Sequence, residues 1–227
     1  MPALTLTHVT KKFGHDTSEV TVLKDVNFQT MAGEVSLVIG PSGSGKSTFL
    51  TIAGGIQTPT TGDVLVQDQA MNQLSPKKRD AFRLNKVGFI LQAYNLVPYL
   101  TVQDQFTLVD RVKAQGNLKH DQLTDLLDQL GISKLVNRYP NELSGGQTQR
   151  VAIARALYQN PDIILADEPT AALDSDRVKV VGQLFRNLAK QHHKAVVIVT
   201  HDIRLRDFAD KTYQLMDGKL ALDQSED

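Results

Sequence analysis

A chain of 227 residues, 41% apolar and 22% charged, has the composition of a globular protein with a real core, as one domain or one domain carrying a sub-lobe. Lysine plus arginine equals aspartate plus glutamate, 25 each, so the formal net charge is zero and the basic excess of a nucleic-acid binder is missing, leaving room only for a local basic patch. The lack of cysteine excludes disulfides and thiolate metal sites and fits a reducing compartment. No apolar run approaches the ~20 residues that cross a bilayer, and no signal-peptide hydrophobic region opens the chain, so a soluble protein is expected, with any membrane role supplied by a partner.

In chain order, Leu4 to Val9 alternates, with Leu4 and Leu6 on one face and Thr5 and Thr7 on the other, which predicts a strand. Lys12-Phe13-Gly14 and the polar stretch His15 to Glu19 read as a loop, Val20 to Phe28 as a second strand, and Met31 to Glu34 as a turn. The apolar run Val35 to Ile39 then leads into Gly40-Pro41-Ser42-Gly43-Ser44-Gly45-Lys46-Ser47-Thr48, followed by the helical Phe49 to Ala53. This is strand, glycine-rich turn, helix, with the spacing of a phosphate-binding loop. Its glycines let successive N–H groups point inward at a phosphate, and the helix adds its positive end. Lys46 offers a mobile charge for the β- and γ-phosphates, and Ser47 a hydroxyl for Mg²⁺. The plain alternative is a Gly/Ser linker, but at average residue frequencies the pattern turns up by chance in only about one chain in a hundred of this length, which favours the phosphate loop.

Gly54-Gly55 stops the helix, Thr58 to Asp63 has turn composition, and Val64 to Val66 reads as a short strand. Pro76 opens a charged helix over Lys77 to Leu84, and Val87 to Leu91 is a strand ending at Gln92. From Val102 to Leu130 the period is helical, broken at Gly116-Asn117, so a helical sub-lobe is placed at about 93–160, between core segments at about 1–92 and 161–227. Leu143 to Gln147 precedes a helical run Thr148 to Gln159. Ile163 to Ala166 and Ala195 to Val199 are apolar strands, Ser175 to Ala189 an amphipathic helix, Ile203 to Ala209 a short helix, and Thr212 to Met216 a strand turning at Asp217-Gly218 into Lys219 to Leu222. No regulatory domain is expected after Lys219 to Leu222, and no internal repeat is visible. Apolar strands alternating with helices predict an α/β fold with a mostly parallel sheet covered on both faces, its ligand at the carboxyl ends of the strands. The phosphate loop, Gln92, Asp167 and His201 each follow such a strand.

Asp167-Glu168 closes a buried strand. Neighbouring side chains diverge in extended chain, so two roles are available: Asp167 to hold Mg²⁺ beside Ser47, and Glu168 as general base for a water attacking the γ-phosphate, worth about 10²–10⁴ in rate. Two surface acids in a turn are the plain alternative, which a phosphate loop in the same sheet outweighs. Ser144-Gly145-Gly146-Gln147 opens a second helix with exposed N–H groups, and taken alone a glycine-rich N-cap, with Ser144 capping, is the preferred reading. His8, His15, His120, His192 and His193 show no metal-ligand grouping and read as surface or loop residues.

Leu143 to Gln147, followed by Gln149-Arg150-Val151-Ala152-Ile153-Ala154-Arg155-Ala156, resembles the signature of ABC-transporter ATPase subunits, and the resemblance covers essentially the whole chain with every motif in order. It implies a P-loop NTPase core with an N-terminal antiparallel β region and an inserted helical subdomain. By that resemblance Phe13 stacks on adenine, where tyrosine is more usual and a core aromatic is the alternative. Gln92 contacts Mg²⁺ and senses the membrane partner. Ala171-Ala172-Leu173-Asp174 crosses to the opposite subunit, with Ala171 where serine is common, and His201 contacts the γ-phosphate. Thr148 stands where glutamine, lysine or arginine is frequent. The family also implies a head-to-tail dimer in which the phosphate loop of one copy and Ser144 to Gln147 of the other sandwich one ATP. A membrane permease would dock near Gln92 to Gln105, holding the protein at the cytoplasmic face of the membrane.

The segment Gln92 to Val102 is similar to the branch of macrolide exporters, lipoprotein-release ATPases and antimicrobial-peptide exporters. Leu96 to Leu100, Gly54-Gly55 and Asp202 to Leu205 resemble the ATPase of bacterial haem exporters. An ABC ATPase that drives transmembrane signalling, as in cell division, carries the same motifs and is the alternative function. ABC proteins acting on DNA or ribosomes usually have two cassettes or a coiled-coil insertion, and a nucleotide kinase lacks the signature; this chain fits neither.

Overall fold

The computed structural model describes residues 1–14 and 16–223; His15 lies outside the described residues. In chain order the elements are β1 (Pro2–Phe13), β2 (Val20–Met31), β3 (Val35–Ile39), α1 (Lys46–Ala53), β4 (Thr61–Val66), β5 (Gln69–Ala70), α2 (Pro76–Lys86), β6 (Val87–Ile90), α3 (Val102–Val112), α4 (His120–Gln129), α5 (Gly145–Tyr158), β7 (Ile163–Asp167), α6 (Ser175–His192), β8 (Ala195–Thr200), β9 (Lys211–Met216) and β10 (Lys219–Leu222).

Two sheets result. The first, in the order β2-β1-β4-β5, is antiparallel, and it buries Leu4, Leu6, Val26 and Phe28 on its inner face. The second runs β10-β9-β3-β8-β7-β6, parallel from β9 to β6 and antiparallel only at the β9–β10 hairpin. All six residues of β8 are buried. Alternate side chains explain why: Val196 and Ile198 face a core built with α3, α4, α5 and α6, whereas Val197 and Val199 face α1 and the antiparallel sheet. A parallel strand covered on both sides needs no polar alternation. Phe49 of α1 joins the layers; it is wholly buried and meets Phe28 edge-to-face at 5.2 Å, a burial worth about 1.5–3 kcal/mol.

The architecture is the mixed α/β one expected, with boundaries that differ for identifiable reasons. β1 runs past Val9 to Phe13 because a register shift between Leu6 and Val9, with His8 in left-handed backbone, moves its alternation from one face to the other, and β2 continues to Met31 with the polar Thr30 as its last buried position. The expected loop at 15–19 contains a 3-10 turn over Asp16–Ser18, and the expected helix after Asp202 is a 3-10 helix, Ile203–Phe208. α6 continues past Ala189 to His192 and stops at His193 in left-handed conformation. α5 begins at Gly145 rather than Thr148, because Ser144 and Gln147 close a reciprocal cap: the Ser144 hydroxyl accepts from Gln147 N–H (3.3 Å) and the Gln147 side chain accepts from Ser144 N–H (2.8 Å). Among the described residues no helix is long and apolar enough to cross a membrane.

Candidate functional site

β3 delivers the chain to a tight turn at the carboxyl edge of the parallel sheet. The turn closes on Gly45, at φ 102°, a conformation that admits glycine and few other residues. Gly40 is equally constrained, because a Cβ there would stand 2.2 Å from the Leu215 carbonyl oxygen. α1 starts at Lys46 with no side-chain cap, so its first N–H groups face the hollow of the turn. The Lys46 ammonium donates to the carbonyls of Gly40 (2.7 Å) and Pro41 (2.9 Å), which folds it back over the turn. Ser44 Oγ is buried and has no hydrogen-bond partner among the described residues.

Asp167 ends β7 and Glu168 follows it, each 7% exposed. Burial pushes the Asp167 carboxyl above its ordinary value; a hydrogen bond from Ser47 pulls it back, the Glu168 charge pushes it up, and the Lys46 charge pulls it down. Glu168 has left-handed backbone at φ 49°, which turns its carboxylate towards the end of β8. There it accepts from the Thr200 hydroxyl (2.6 Å), from the His201 backbone N–H (3.1 Å) and from the His201 ring, whose Nδ1 lies 2.9 Å away. A carboxylate only accepts, so the ring proton belongs on Nδ1 in this contact.

These elements meet in a cleft of about 610 Å³ lined by Ser42, Gly43, Gly45, Lys46, Ser47, Thr48, Gln92, Asp167, Glu168 and His201, with Val22 of β2. Lysine, hydroxyls, amide N–H groups and carboxylates on one wall suit a phosphate ester with a divalent cation. A hollow of about 770 Å³ beside α6, lined by Val178, Leu184 and Phe208 together with Ser175, Lys179, Arg204 and Asp207, takes in no part of the glycine-rich turn. Among the described residues no group of three His, Cys, Asp or Glu is placed to hold a metal; Ser47, Gln92, Asp167 and Glu168 bring side-chain oxygens to this cleft.

The other candidate residues lie apart from this lining. Phe13 ends β1 opposite Val20, is 42% exposed, and carries the Lys11 ammonium 5.0 Å from its ring centre. Ser144, Gly145, Gly146 and Gln147 open α5, and Asp174 caps α6 by accepting from Arg177 N–H (2.9 Å). Within one chain, then, the structure brings together the phosphate loop, Gln92, Asp167, Glu168 and His201, and leaves Phe13, the α5 start and Asp174 outside the cleft.

Three contributors went unread in the sequence. Val22 is hidden in a strand pattern. Thr200 is the one hydroxyl after the apolar run Ala195 to Val199, a signal that was available. Arg155 is the sole charge within Val151 to Leu157; burial pulls its pKa down, and its guanidinium donates to the carbonyls of Asn95 (2.7 Å) and Tyr94 (3.0 Å), holding the loop that follows Gln92.

Comparison with known proteins agrees with this picture. The ABC transporter family pattern matches residues 23–171. A Staphylococcus epidermidis protein named as the hemin import ATP-binding protein HrtA is 43% identical over 218 residues, spanning 96% of this chain and 98% of its own. A Staphylococcus aureus protein of the same name is 44% identical over 222 residues, spanning 96% and 99%. Among solved structures, the ATP-binding cassette MJ0796, dimeric in a post-hydrolysis state with ADP and Pi, superposes with a TM-score of 0.89 at 38% identity over 99% of both chains. A second dimeric structure of MJ0796 gives 0.90.

Proposed function

The chain belongs to the ABC transporter family as an ATP-hydrolysing subunit, and from that premise we propose that its cleft is one half of an ATP site completed by Ser144 to Gln147 of a second copy. The observation that carries this reading is the separation just described: one chain holds a complete phosphate wall and, away from it, a second glycine-flanked helix start. A two-fold pair would put each α5 start against the other chain's cleft and make two equal sites. That MJ0796 is dimeric supports a pair of chains.

ATP entering the cleft draws Lys46 from the Gly40 and Pro41 carbonyls onto the β- and γ-phosphates, while the buried Ser44 hydroxyl gains an acceptor. Ser47, Gln92 and Asp167 supply oxygen ligands that fit Mg²⁺, which when bound would neutralise phosphate charge. Glu168 takes the proton of the attacking water, as a base worth about 10²–10⁴ in rate. Both its oxygens already meet donors from Thr200 and His201, so it is aimed before substrate arrives. The His201 ring, 72% exposed, reaches from this dyad towards the γ-phosphate. Phe13 stacks on adenine, and Asp174 with Ala171 to Leu173 contacts the second copy.

The same proposal divides the chain into a nucleotide-binding core, about 1–92 and 161–227, and a helical subdomain, about 93–160, whose permease contact lies at Gln92 to Gln105, with Tyr99 86% exposed. The permease would hold the protein on the cytoplasmic side of the membrane. The cargo we assign is haem, supported by the names of the relatives, and the direction is export, supported by the likeness of Gln92 to Val102 to exporter ATPases; the relatives' names say import. Haemin tolerance decides between them. Loss of this chain leaves cells more sensitive to haemin and richer in it if export holds, and poorer in it if import holds; unaltered haemin content removes haem as cargo. For the site itself, a Ser144→Arg chain mixed with a Lys46→Ala chain tests the shared geometry. In a mixed dimer both changes fall on one composite site, so about one intact site survives. Complete loss in the mixed dimer would place the two residues in separate sites and overturn the sandwich.

A further inference from the structure

Gln149 lies on the second turn of α5, 1% exposed, with both ends of its amide committed to backbone. Its Nε2 donates to the Glu168 carbonyl (3.0 Å), and its Oε1 accepts from Ala172 N–H (3.0 Å). One side chain therefore pins two points of the turn that leads from the proposed base to the segment capping α6. That turn needs pinning. Glu168 is held in left-handed backbone, a state that costs a non-glycine residue about 1–2 kcal/mol. Its other backbone ties are its N–H to the Val199 carbonyl (2.9 Å) and a longer bond to its carbonyl from Ala171 N–H (3.3 Å). The first turn of α5 also rests directly on this segment, since a Cβ on Gly146 would stand 3.0 Å from the Ala172 carbonyl oxygen.

We propose that Gln149 is a positioning residue for ATP hydrolysis, locking the backbone of Glu168 and Ala172 in register with the start of α5. The idea rests on the composite site proposed above and extends it. In that dimer Ser144 to Gln147 serves one ATP and Glu168 of the same chain serves the other, so the Gln149 amide ties the two sites together inside each subunit. A shift of α5 on one nucleotide is delivered to the base facing the second.

The test is steady-state and single-turnover ATPase of the full chain. Gln149→Met keeps length and removes both hydrogen bonds; a misplaced base loses about 10–100-fold in kcat, while KM for ATP stays within about twofold. Gln149→Glu keeps the acceptor for Ala172 N–H. Burial raises the introduced carboxyl, so that on acidification its protonated form regains a donor for the Glu168 carbonyl. The ratio of parent to variant kcat is then expected to shrink between about pH 8.5 and about pH 6, a readout that packing alone does not move. A kcat within twofold of parent for Gln149→Met, or a pH-independent ratio for Gln149→Glu, overturns the proposal; if the methionine variant does not fold, the pH ratio decides alone. Glu168→Gln assayed in parallel separates the premises. If it keeps full turnover, the base assignment fails; if it is inactive while Gln149→Met is not, only the positioning role fails.

Discussion

Thr200→Val isolates how the proposed base, Glu168, is held. Thr200 is wholly buried, and its hydroxyl donates to Glu168 Oε2 (2.6 Å) while accepting from Asp202 N–H (3.0 Å). Valine has the same shape, so no cavity opens and the loss is polar alone. A hydrogen bond to a charged group contributes about 1.5–3 kcal/mol, and the stranded Asp202 N–H costs about 1–3 kcal/mol more. The sum predicts a melting point at least about 5 °C lower for a chain of this size. Catalysis loses less, because His201 still supplies its backbone N–H and its ring to Glu168. If the first figure passes into the barrier, kcat falls about 10–100-fold. KM for ATP should hold within about twofold, since Thr200 does not line the cleft. Single-turnover hydrolysis at saturating ATP reads the chemical step directly. Thr200→Ser keeps the hydroxyl and is expected within about threefold of parent in kcat. Parent-like turnover in the valine variant, or equal damage in the serine variant, would refute the hydrogen bond as the cause.

Two further expectations follow from the same wall and its neighbours. Asp167→Asn should abolish hydrolysis yet raise the melting point of the nucleotide-free chain at pH 7.5. Burial holds the Asp167 carboxyl above its unfolded value, so the folded state binds the extra proton, stability falls as pH rises through that window, and the ionised carboxylate is a net cost at neutral pH. The advantage of the asparagine variant should vanish as pH falls to about 4, and a lower melting point at pH 7.5 would contradict the sign. Arg155→Met removes both donors from the Tyr94 and Asn95 carbonyls, so amide exchange across 94–97 should quicken about tenfold or more, with permease-stimulated ATPase falling further than basal activity. Unchanged exchange there would leave Arg155 without a role in the loop.

How much of this was legible depended on which atoms carry the information. β3, β7 and β8 are short apolar runs ended by glycine, acid or hydroxyl, and such runs identify buried parallel strands from side chains alone. β1 reads short because its register shift and the left-handed His8 follow from pairing with a distant segment, and β2 reads short because its last buried position is a threonine, Thr30. The cap that starts α5 is legible at Ser144, and the reciprocal bond from the Gln147 side chain is what the structure adds. The grouping of Lys46, Gln92, Asp167 and His201 could be anticipated because parallel strands deliver their ends to one edge. Gln149 and Arg155 could not be placed. Their partners are the backbone atoms of Glu168, Ala172, Tyr94 and Asn95, and no residue type marks a carbonyl that needs a donor.

The central claim is that one chain holds half a site, closed by ATP and opened by the action of Glu168. Light scattering of Glu168→Gln after size exclusion, with and without ATP, tests it most directly. Expected are a monomer without nucleotide, a stable dimer with one ATP retained per chain when ATP is present, and turnover reduced by about 10²-fold or more. A variant that stays monomeric with ATP and hydrolyses it at the parent rate would contradict both the base and the shared site.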